Sequence, residues 1–562
     1  MQRWPVRGKR VKTVPVNSSD KRQGPLKHYL LALLITAVVG AVYYYFELPA
    51  INLQNTAFYG FFLLMSLVFC AAYLFVSSAI RADMDVLEIW RKLKQACVVP
   101  LLLCALLLLL FIVGGLLSSV LFRWSSYKDL LEVSQGDFAL EVEQISFDQI
   151  PMLDKASSQR LGDRKLGELS DMVSQFEVAS DYPQINYKGR PVRVTPLVYG
   201  DFFKWLNNFG DGIPAYIYID MVSQNAEVVR LPSGMRYSRS DKFFRNIDRY
   251  LRFHYPTYMF ESPHMEIDDS GVPYWVCPRI VKTIGLFGGS DIRGAALVNA
   301  ITGETGYYQP DEIPIWVDQV YSASLIIEQY DYYGTYQDGF INSLFAQRGV
   351  TVTTEGYNYI AQNDDVYVYT GITSVGGDES NIGFILTNQR TKHTRYYPCA
   401  GAEEYSAMSS AEGVVQHLGY QSTFPLLLNV AGQPTYFMSL KDNAGLVKMY
   451  AMVNVQQYNI VASGSTVLEC EEEYIRLLNR HGISDAPIKL YETTSGAVED
   501  IRTAVIEGNT WYYFKLVGSS FYYAVMAAEN EKAVLVDVGD RISLEFREAD
   551  EAGGIIAAKL LN

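Results

Sequence analysis

Three apolar runs, at about 29–46, 57–80 and 98–122, constrain this chain more than any other feature of it. A helix rises about 1.5 Å per residue, so about 20 residues cross the roughly 30 Å of hydrocarbon in a bilayer. A buried core helix needs an apolar run of only about 10–14 residues. None of the three runs has a charged residue in its interior. The first ends in Tyr43-Tyr44-Tyr45-Phe46, not in the small residues of a signal-peptide cleavage site. All three are therefore predicted to span a lipid bilayer. They contain no carboxylate, Lys or His, and the stretch from Leu101 to Leu110 is nearly all Leu. They read as an anchor rather than a conduit, one also compatible with a homo-oligomer.

The flanking charges set the direction. Residues 1–27 hold Arg3, Arg7, Lys9, Arg10, Lys12, Lys21, Arg22 and Lys27 against the single acid Asp20. The connector 47–56 holds no Lys or Arg, and the connector 81–96 holds Arg81, Arg91, Lys92 and Lys94. Lys and Arg favour the cytoplasmic side. The expectation is a basic cytoplasmic tail at 1–27, three spans within 28–122, and a large extracytoplasmic region from 123 onward. The whole chain has a formal charge of −14 although its tail is basic, so that region is strongly acidic. Such a surface repels nucleic acid, which is excluded as a partner.

Beyond the spans the expected fold class is α+β. Residues 123–210 read as a connector and a first α/β segment. The connector alternates Phe138, Leu140, Val142 and Ile145 like a strand. A helix at about 157–173 follows, then strands at 174–179 and 192–199 around the turn Asn186-Tyr187-Lys188-Gly189, then a helix at 201–209. Within 211–485 the chain resembles itself. Asn299-Ala-Ile-Thr302-Gly-Glu-Thr305-Gly-Tyr307-Tyr308 and Asn388-Gln-Arg-Thr391-Lys-His-Thr394-Arg-Tyr396-Tyr397 share the pattern N-x-x-T-x-x-T-x-Y-Y. An aromatic strand precedes each, at 273–276 and 366–369, and a helix is predicted after each, at 311–330 and 402–418. Looser copies flank them. One has strands at 214–219 and 227–231 and a helix at 241–252 capped by Ser240. The other has strands at 434–438 and 447–461 and a helix at 467–480. That last helix opens with the capping-box spacing of Thr466 and Glu469, and Gly482 stops it. Four β-hairpin-plus-helix modules are expected, each covering the apolar face that a lone hairpin leaves open.

The turn Asn299-Ala300-Ile301-Thr302-Gly303-Glu304, closing a hairpin packed with a helix, resembles PepSY-like modules of bacterial membrane-anchored envelope proteins. In that family the strand before the turn often ends in a polar residue followed by Thr-Gly-Glu. The match is literal once, at Thr302-Gly303-Glu304; the third copy has Thr391-Lys392-His393. The resemblance implies a binding or inhibitory role and carries over no catalytic residue.

Residues 496–562 read as a separate small β-barrel, OB-like or SH3-like. Strand-like runs occur at 498–505, 511–517, 521–527, 533–538, 542–546 and 555–561, and Gly508-Asn509, Gly518-Ser519 and Gly539-Asp540 mark turns.

The search for chemistry returns little. His254 and His264 are ten apart, and no His pair has the H-E-x-x-H spacing. There is no G-x-S-x-G elbow and no phosphate-binding G-x-x-x-x-G-K-[ST]. Gly288-Gly289-Ser290-Asp291 reads as turn chemistry. Cys277, Cys399 and Cys470 lie in the outer region, an odd number that suggests no disulfide framework. No catalytic residue, metal ligand or cofactor is assigned. The expected function is that of a membrane-anchored extracytoplasmic binding or scaffold protein of the cell envelope. The alternatives are an envelope hydrolase with a site assembled from distant residues, or an accessory or sensor subunit of a membrane complex. Its expected partners are the lipid bilayer and another envelope protein. Aromatic residues dominate binding hot spots, so Tyr367, Tyr369, Trp511 and Tyr513 are the candidate binding surface.

Overall fold

A computed structural model describes residues 25–77, 94, 97–144, 150–362, 364–376, 380–486, 492–506, 509–528, 530–552 and 554–561. The basic tail before residue 25, Arg81, Arg91, Lys92 and Ile145 lie outside the described residues. α1 (Pro25–Glu47), α2 (Thr56–Val76) and α3 (Val98–Leu117) are each long and apolar enough to cross a membrane. α3 buries no residue against protein, as expected of a helix apolar all round whose surroundings are lipid.

The end of α1, the start of α2 and the end of α3 all meet the folded region that follows. Arg249 and Arg252 donate to the carbonyls of Tyr45 (3.0 Å) and Leu48 (2.8 Å) at the end of α1. Cations there satisfy orphan carbonyls and suit the helix dipole. Ahead of α2, the Gln54 side chain exchanges two hydrogen bonds with the backbone of Lys282. At the end of α3, Ser118 Oγ accepts the backbone N–H groups of Leu286 (2.8 Å) and Phe287 (3.1 Å). The ring of Phe287 lies 5.6 Å from that of Tyr59 on α2 and 5.1 Å from that of Phe111 on α3. Gly114 makes room for this tip, because a Cβ there would lie 2.8 Å from Leu286.

α4 (Val120–Lys128), kinked at Arg123, leads to β1 (Val133–Gln135) and the single turn α5 (Phe138–Glu141). The strand expected at Phe138 and Leu140 is thus a helical turn. Asp137 caps it by accepting the N–H of Ala139, and only Phe138 of its residues is buried.

Four mainly antiparallel sheets follow. The first comprises β2 (Phe176–Val178), β3 (Gln184–Tyr187), β4 (Arg190–Tyr199), β5 (Ile213–Asp220) and β6 (Asn225–Met235). α6 (Lys155–Gly167) precedes it, α7 (Phe202–Asn208) lies between β4 and β5, and α8 (Ile247–His254) closes it. The second comprises β7 (Met259–Phe260), β8 (His264–Ile267), β9 (Pro273–Ile284), β10 (Gly288–Asn299) and β11 (Thr305–Tyr308), then α9 (Ala323–Thr335) and α10 (Phe340–Leu344). The third comprises β12 (Thr351–Thr353), β13 (Asn358–Gln362), β14 (Asp365–Ser374), β15 (Ser380–Asn388) and β16 (Thr394–Ala402), then α11 (Glu404–Val414). The fourth comprises β17 (Gln421–Ser422), β18 (Leu426–Val430), β19 (Gln433–Lys441), β20 (Val447–Asn454) and β21 (Val461–Gly464), then α12 (Val467–Arg480). In every sheet two short strands pair with the first long strand, and two further strands continue as a meander. β1 joins the third sheet as an added parallel strand on β16.

The turns after β10 and β15 have one construction. Asn299 Oδ1 accepts the N–H groups of Ile301 (3.0 Å) and Thr302 (2.9 Å); Asn388 Oδ1 accepts those of Arg390 and Thr391 (both 2.9 Å). The residue four positions on is left-handed in each, Gly303 at φ +79° and Lys392 at φ +66°. Asp220 at the end of β5 repeats this with Val222 and Ser223, ahead of Gln224 at φ +60°. Asn454 ends β20 and accepts from Gln457 N–H in a longer turn.

Other boundaries differ from expectation. The helix predicted at 311–330 begins only at Ala323, capped by Ser322. The one predicted at 241–252 splits into a 3₁₀ turn at Phe243–Arg245 and α8, whose cap is Asn246. Phe243 is left-handed, at φ +53°, which no continuous helix accommodates. The strand predicted at 447–461 stops at Asn454. Thr466 caps α12 as expected, accepting Glu469 N–H, but Glu469 returns its bond to Ser465 rather than to Thr466.

The cores cross sheet boundaries. One joins Ile217 of β5 to Trp275 of β9, a second joins Val276 of β9 to Ile385 of β15, and a third joins Phe384 of β15 to Phe437 of β19. The C-terminal strands β22 (Glu492–Ile506), β23 (Asn509–Leu516), β24 (Tyr522–Met526), β25 (Arg541–Ala552) and β26 (Ile555–Leu560) instead close on themselves in the order β22-β23-β24-β26-β25. β24 and β26 are parallel. The run 533–538, expected as a strand, is no strand: its first half lies in a 3₁₀ turn at Glu531–Leu535.

Candidate functional site: a tyrosine-lined cleft

One face of β5 carries Ile213, Ala215, Ile217 and Ile219, all buried, and the alternate residues Tyr216 and Tyr218 turn to the other side. That side opens into a cleft of about 720 Å³ shared with β6 and the 267–272 segment of the second sheet. Tyr187 and Tyr218 meet edge to face, their centroids 6.0 Å apart. The Tyr216 hydroxyl donates to Gly271 O at 3.1 Å and so fixes the far wall. Burial, then the neighbouring Asp220 charge, pushes the Tyr218 hydroxyl up to about 12. It stays a neutral hydroxyl at physiological pH and has no hydrogen-bond partner among the described residues. Most of the rim charge is paired, with Arg190–Asp220 and Arg230–Asp171 each at 2.8 Å, while Glu227 on the rim takes only a hydrogen bond from the Asn225 side chain at 3.4 Å. Val229, Leu231 and Ile301 supply an apolar floor. Among the described residues, no strand pairs with the outer side of β6.

This combination of ring faces, one open hydroxyl, mostly paired rim charges and a free strand edge suits non-covalent recognition of an extended segment. Beside it lies a buried acidic joint. Glu266 accepts the N–H groups of Asp318 (2.8 Å) and Gln319 (3.0 Å) and contacts His264 Nε2 at 2.9 Å. Asp318 in turn accepts Asn186 N–H at 2.6 Å. Burial and the charge of Glu266 hold the Asp318 carboxyl well above its ordinary range. Glu266 on β8 holds the loop ahead of α9, and Asp318 of that loop holds β3 of the first sheet, so the pair ties the first and second sheets together. Among the described residues no group of three or more His, Cys, Asp or Glu could hold a metal ion. Cys277, Cys399 and Cys470 are free thiols, each buried.

The four residues expected to form a binding surface are not brought together. Tyr369 is fully buried in the core shared by the third and fourth sheets, and its hydroxyl donates to Pro425 O. It is a core residue, not a contact residue, because β14 is paired on both sides and covered. Tyr367 is half-buried against the same core. Trp511 and Tyr513 alternate with Tyr512 and Phe514 on β23. Phe514 fills the barrel, leaving Trp511 and Tyr513 half-exposed outside it. Tyr216-Ile217-Tyr218 in the cleft has the same Y-x-Y spacing as Tyr367-Val368-Tyr369, so spacing alone does not distinguish them. What ranks the two, an open or a covered sheet face, depends on distant segments.

No family model matches the chain, and no curated protein matches it. Among solved structures, a crystal structure of a mutant B. megaterium levansucrase is similar at 11% identity, covering 78% of this chain and 97% of that one. Its TM-score is 0.17, too low to assign a shared fold.

Proposed function

We propose that this chain is a membrane-anchored, extracytoplasmic binding or scaffold protein of the cell envelope, and that the cleft beside β6 receives an extended segment of another envelope component. The observation that carries this is the 11-residue strand β6, whose outer edge is unpaired among the described residues and borders the tyrosine-lined cleft. Exposed edges accept added strands, and β1 on β16 is an instance within the chain itself. In the same reading the four sheets are copies of one hairpin-and-helix unit, supported by their common strand order and by Asp or Asn at the end of β5, β10, β15 and β20. The turn at Thr302-Gly303-Glu304 carries the PepSY-like resemblance. The barrel's strand order, with one parallel pair and a helical turn between β24 and β25, supports an OB-like unit. Trp511 and Tyr513 on its outer face form a second contact surface.

The test is a photo-crosslinking amino acid in place of Tyr218 in the full-length protein, in intact membranes. We expect one discrete adduct, lost on Tyr187→Ala and unaffected by Tyr458→Ala at an exposed site in the fourth sheet. Absence of any adduct, or an adduct indifferent to Tyr187, overturns the cleft as the binding site.

A further inference from the structure

The folded region is acidic in composition, yet α7 and the 3₁₀ turn at Phe243–Arg245 expose a dense aromatic patch. Phe203 is 73% exposed, Phe244 65% and Phe243 58%, and Phe202, Leu206 and Phe209 are also open. Exposed single apolar residues need no explanation, but a contiguous patch does. Trp205 holds it together, with its ring 5.5 Å from Phe202, 5.2 Å from Phe209 and 5.7 Å from Phe243. Asp241 accepts the indole N–H from within, at 3.2 Å. The apolar residues point outward although a buried scaffold exists to hold them.

The height of the patch is fixed by α1. Phe244 lies 5.9 Å from Tyr45, and Phe253 lies 5.9 Å from Tyr44, both in the last turn of that helix. Arg249 sits 4.1 Å over the Tyr45 ring. Lys204, Lys242 and Arg245 interleave with the rings. Aromatic residues mixed with Lys and Arg at the end of a spanning helix are what the interface of a bilayer selects. A second patch flanks α4, which follows directly on α3. Phe345 is 81% exposed, Ile341 67% and Leu344 56%, all on or just after α10. A Cβ added to Gly339, at the start of α10, would lie 3.8 Å from Trp124, in α4 just beyond α3.

We infer that α7 with Phe243–Phe244, and α10 with Phe345, lie in the headgroup–acyl boundary of the leaflet in which α1 and α3 end, so that the folded region rests on the lipid surface. This rests on the reading of α1–α3 as membrane spans. Continuity with the ends of two spans names lipid as the occupant, since these positions share the depth of the bilayer's own interface.

The experiment is lipid photolabelling of the full chain in vesicles of phosphatidylglycerol and phosphatidylcholine, using a diazirine placed high in the acyl chain, with labelled peptides mapped by mass. We expect labelling at 202–209, 243–244 and 341–345 roughly tenfold above that at exposed Tyr458, together with labelling of α1–α3. Labelled spans with unlabelled patches overturn the inference and leave the spans standing, including the case in which a second copy of the chain shields the patches. Unlabelled spans overturn the membrane reading itself. Full chain carrying both Phe203→Asp and Phe244→Asp should lose label at 202–209 and 243–244 while the spans keep theirs. Retention of that label in the variant also overturns the inference.

Discussion

The four sheets and the C-terminal barrel solve the same problem in opposite ways. A sheet has an apolar face to cover and two edges to satisfy. The barrel closes its edges by curling and fills its interior with its own residues, such as Phe514, Leu544 and Ile556. The four sheets leave edges open and cover their faces with one another, so that Phe384 and Phe437, from different sheets, share one core. A closed unit is self-sufficient, whereas an open one is stable only in company. The openness that makes the sheets interdependent is also what leaves an edge such as β6 available.

The largest expected effect tests that difference directly. Phe384 is fully buried, and its ring meets that of Tyr436 on β19 edge to face at 5.9 Å. Phe384→Ala should cost about 3–5 kcal/mol, as large cavities in cores do. Hydrogen exchange should show protection falling in both the third and fourth sheets while residues 492–561 stay protected. Phe514→Ala, of similar cost, should expose only the barrel. Loss of barrel protection in the Phe384 variant would break the comparison.

The next effect is a pH dependence confined to the shared core. Burial pushes the Glu404 carboxyl from its ordinary 4.5 up to about 7, although its Oε1 accepts Gly371 N–H at 2.9 Å and its place in the first turn of α11 favours a negative charge. The folded protein therefore keeps a proton that the unfolded chain releases, and stability falls as pH rises through this window. The full penalty, about 3 kcal/mol, is reached above pH 7. Glu404→Gln should flatten the denaturation midpoint of the sheets between pH 5 and 7 and raise it at pH 8, with the barrel midpoint unchanged. A midpoint that rises with pH in the parent protein would contradict this.

The smallest effect separates two turns within the sheets. Asn299→Ala removes an acceptor for two N–H groups and should cost about 1 kcal/mol. Asn388→Ala removes the same bonds and also one to the buried Asp365 at 2.8 Å, so it should cost about 2 kcal/mol in urea denaturation. Equal costs would mean that Asp365 is satisfied by Arg390 alone.

Those two turns were legible in the sequence because one side chain dictates the geometry, and the residues after it match. The corresponding turns at Asp220 and Asn454 were hidden. Asp220-Met221-Val222-Ser223-Gln224 builds the same hydrogen bonds with neither Thr nor Gly, since backbone amides do the work. Ser240 looked like a helix cap because Ser is a good one. Its hydroxyl instead lies 3.1 Å from Ser238 Oγ and accepts Tyr199 N–H, and the cap passes to Asn246. The three apolar helices are legible in the sequence because length and the absence of charge suffice, but their ends are not: α1 starts at Pro25 rather than 29, α2 stops at Val76 and α3 at Leu117, where Ser77 and Ser118 cap them. The cleft is not legible, because Tyr187 meets Tyr218 only once β3 and β5 share β4, and Gly271 arrives only when the second sheet packs on the first.

The hairpin tip at Leu286 and Phe287, seated on Ser118 and Gly114, has a mechanical consequence. A domain on a loose tether sweeps a volume, and its mouth faces every direction in turn. Here the second sheet is bolted to the ends of α2 and α3, and α8 of the first sheet to the end of α1, so a tilt of α3 becomes a tilt of β9 and β10, with no slack between. The cleft has a bearing as well as a location. Whatever enters it approaches along one line relative to the three helices; on the proposed reading of those helices as membrane spans, a bilayer that changes thickness would turn the folded region with them.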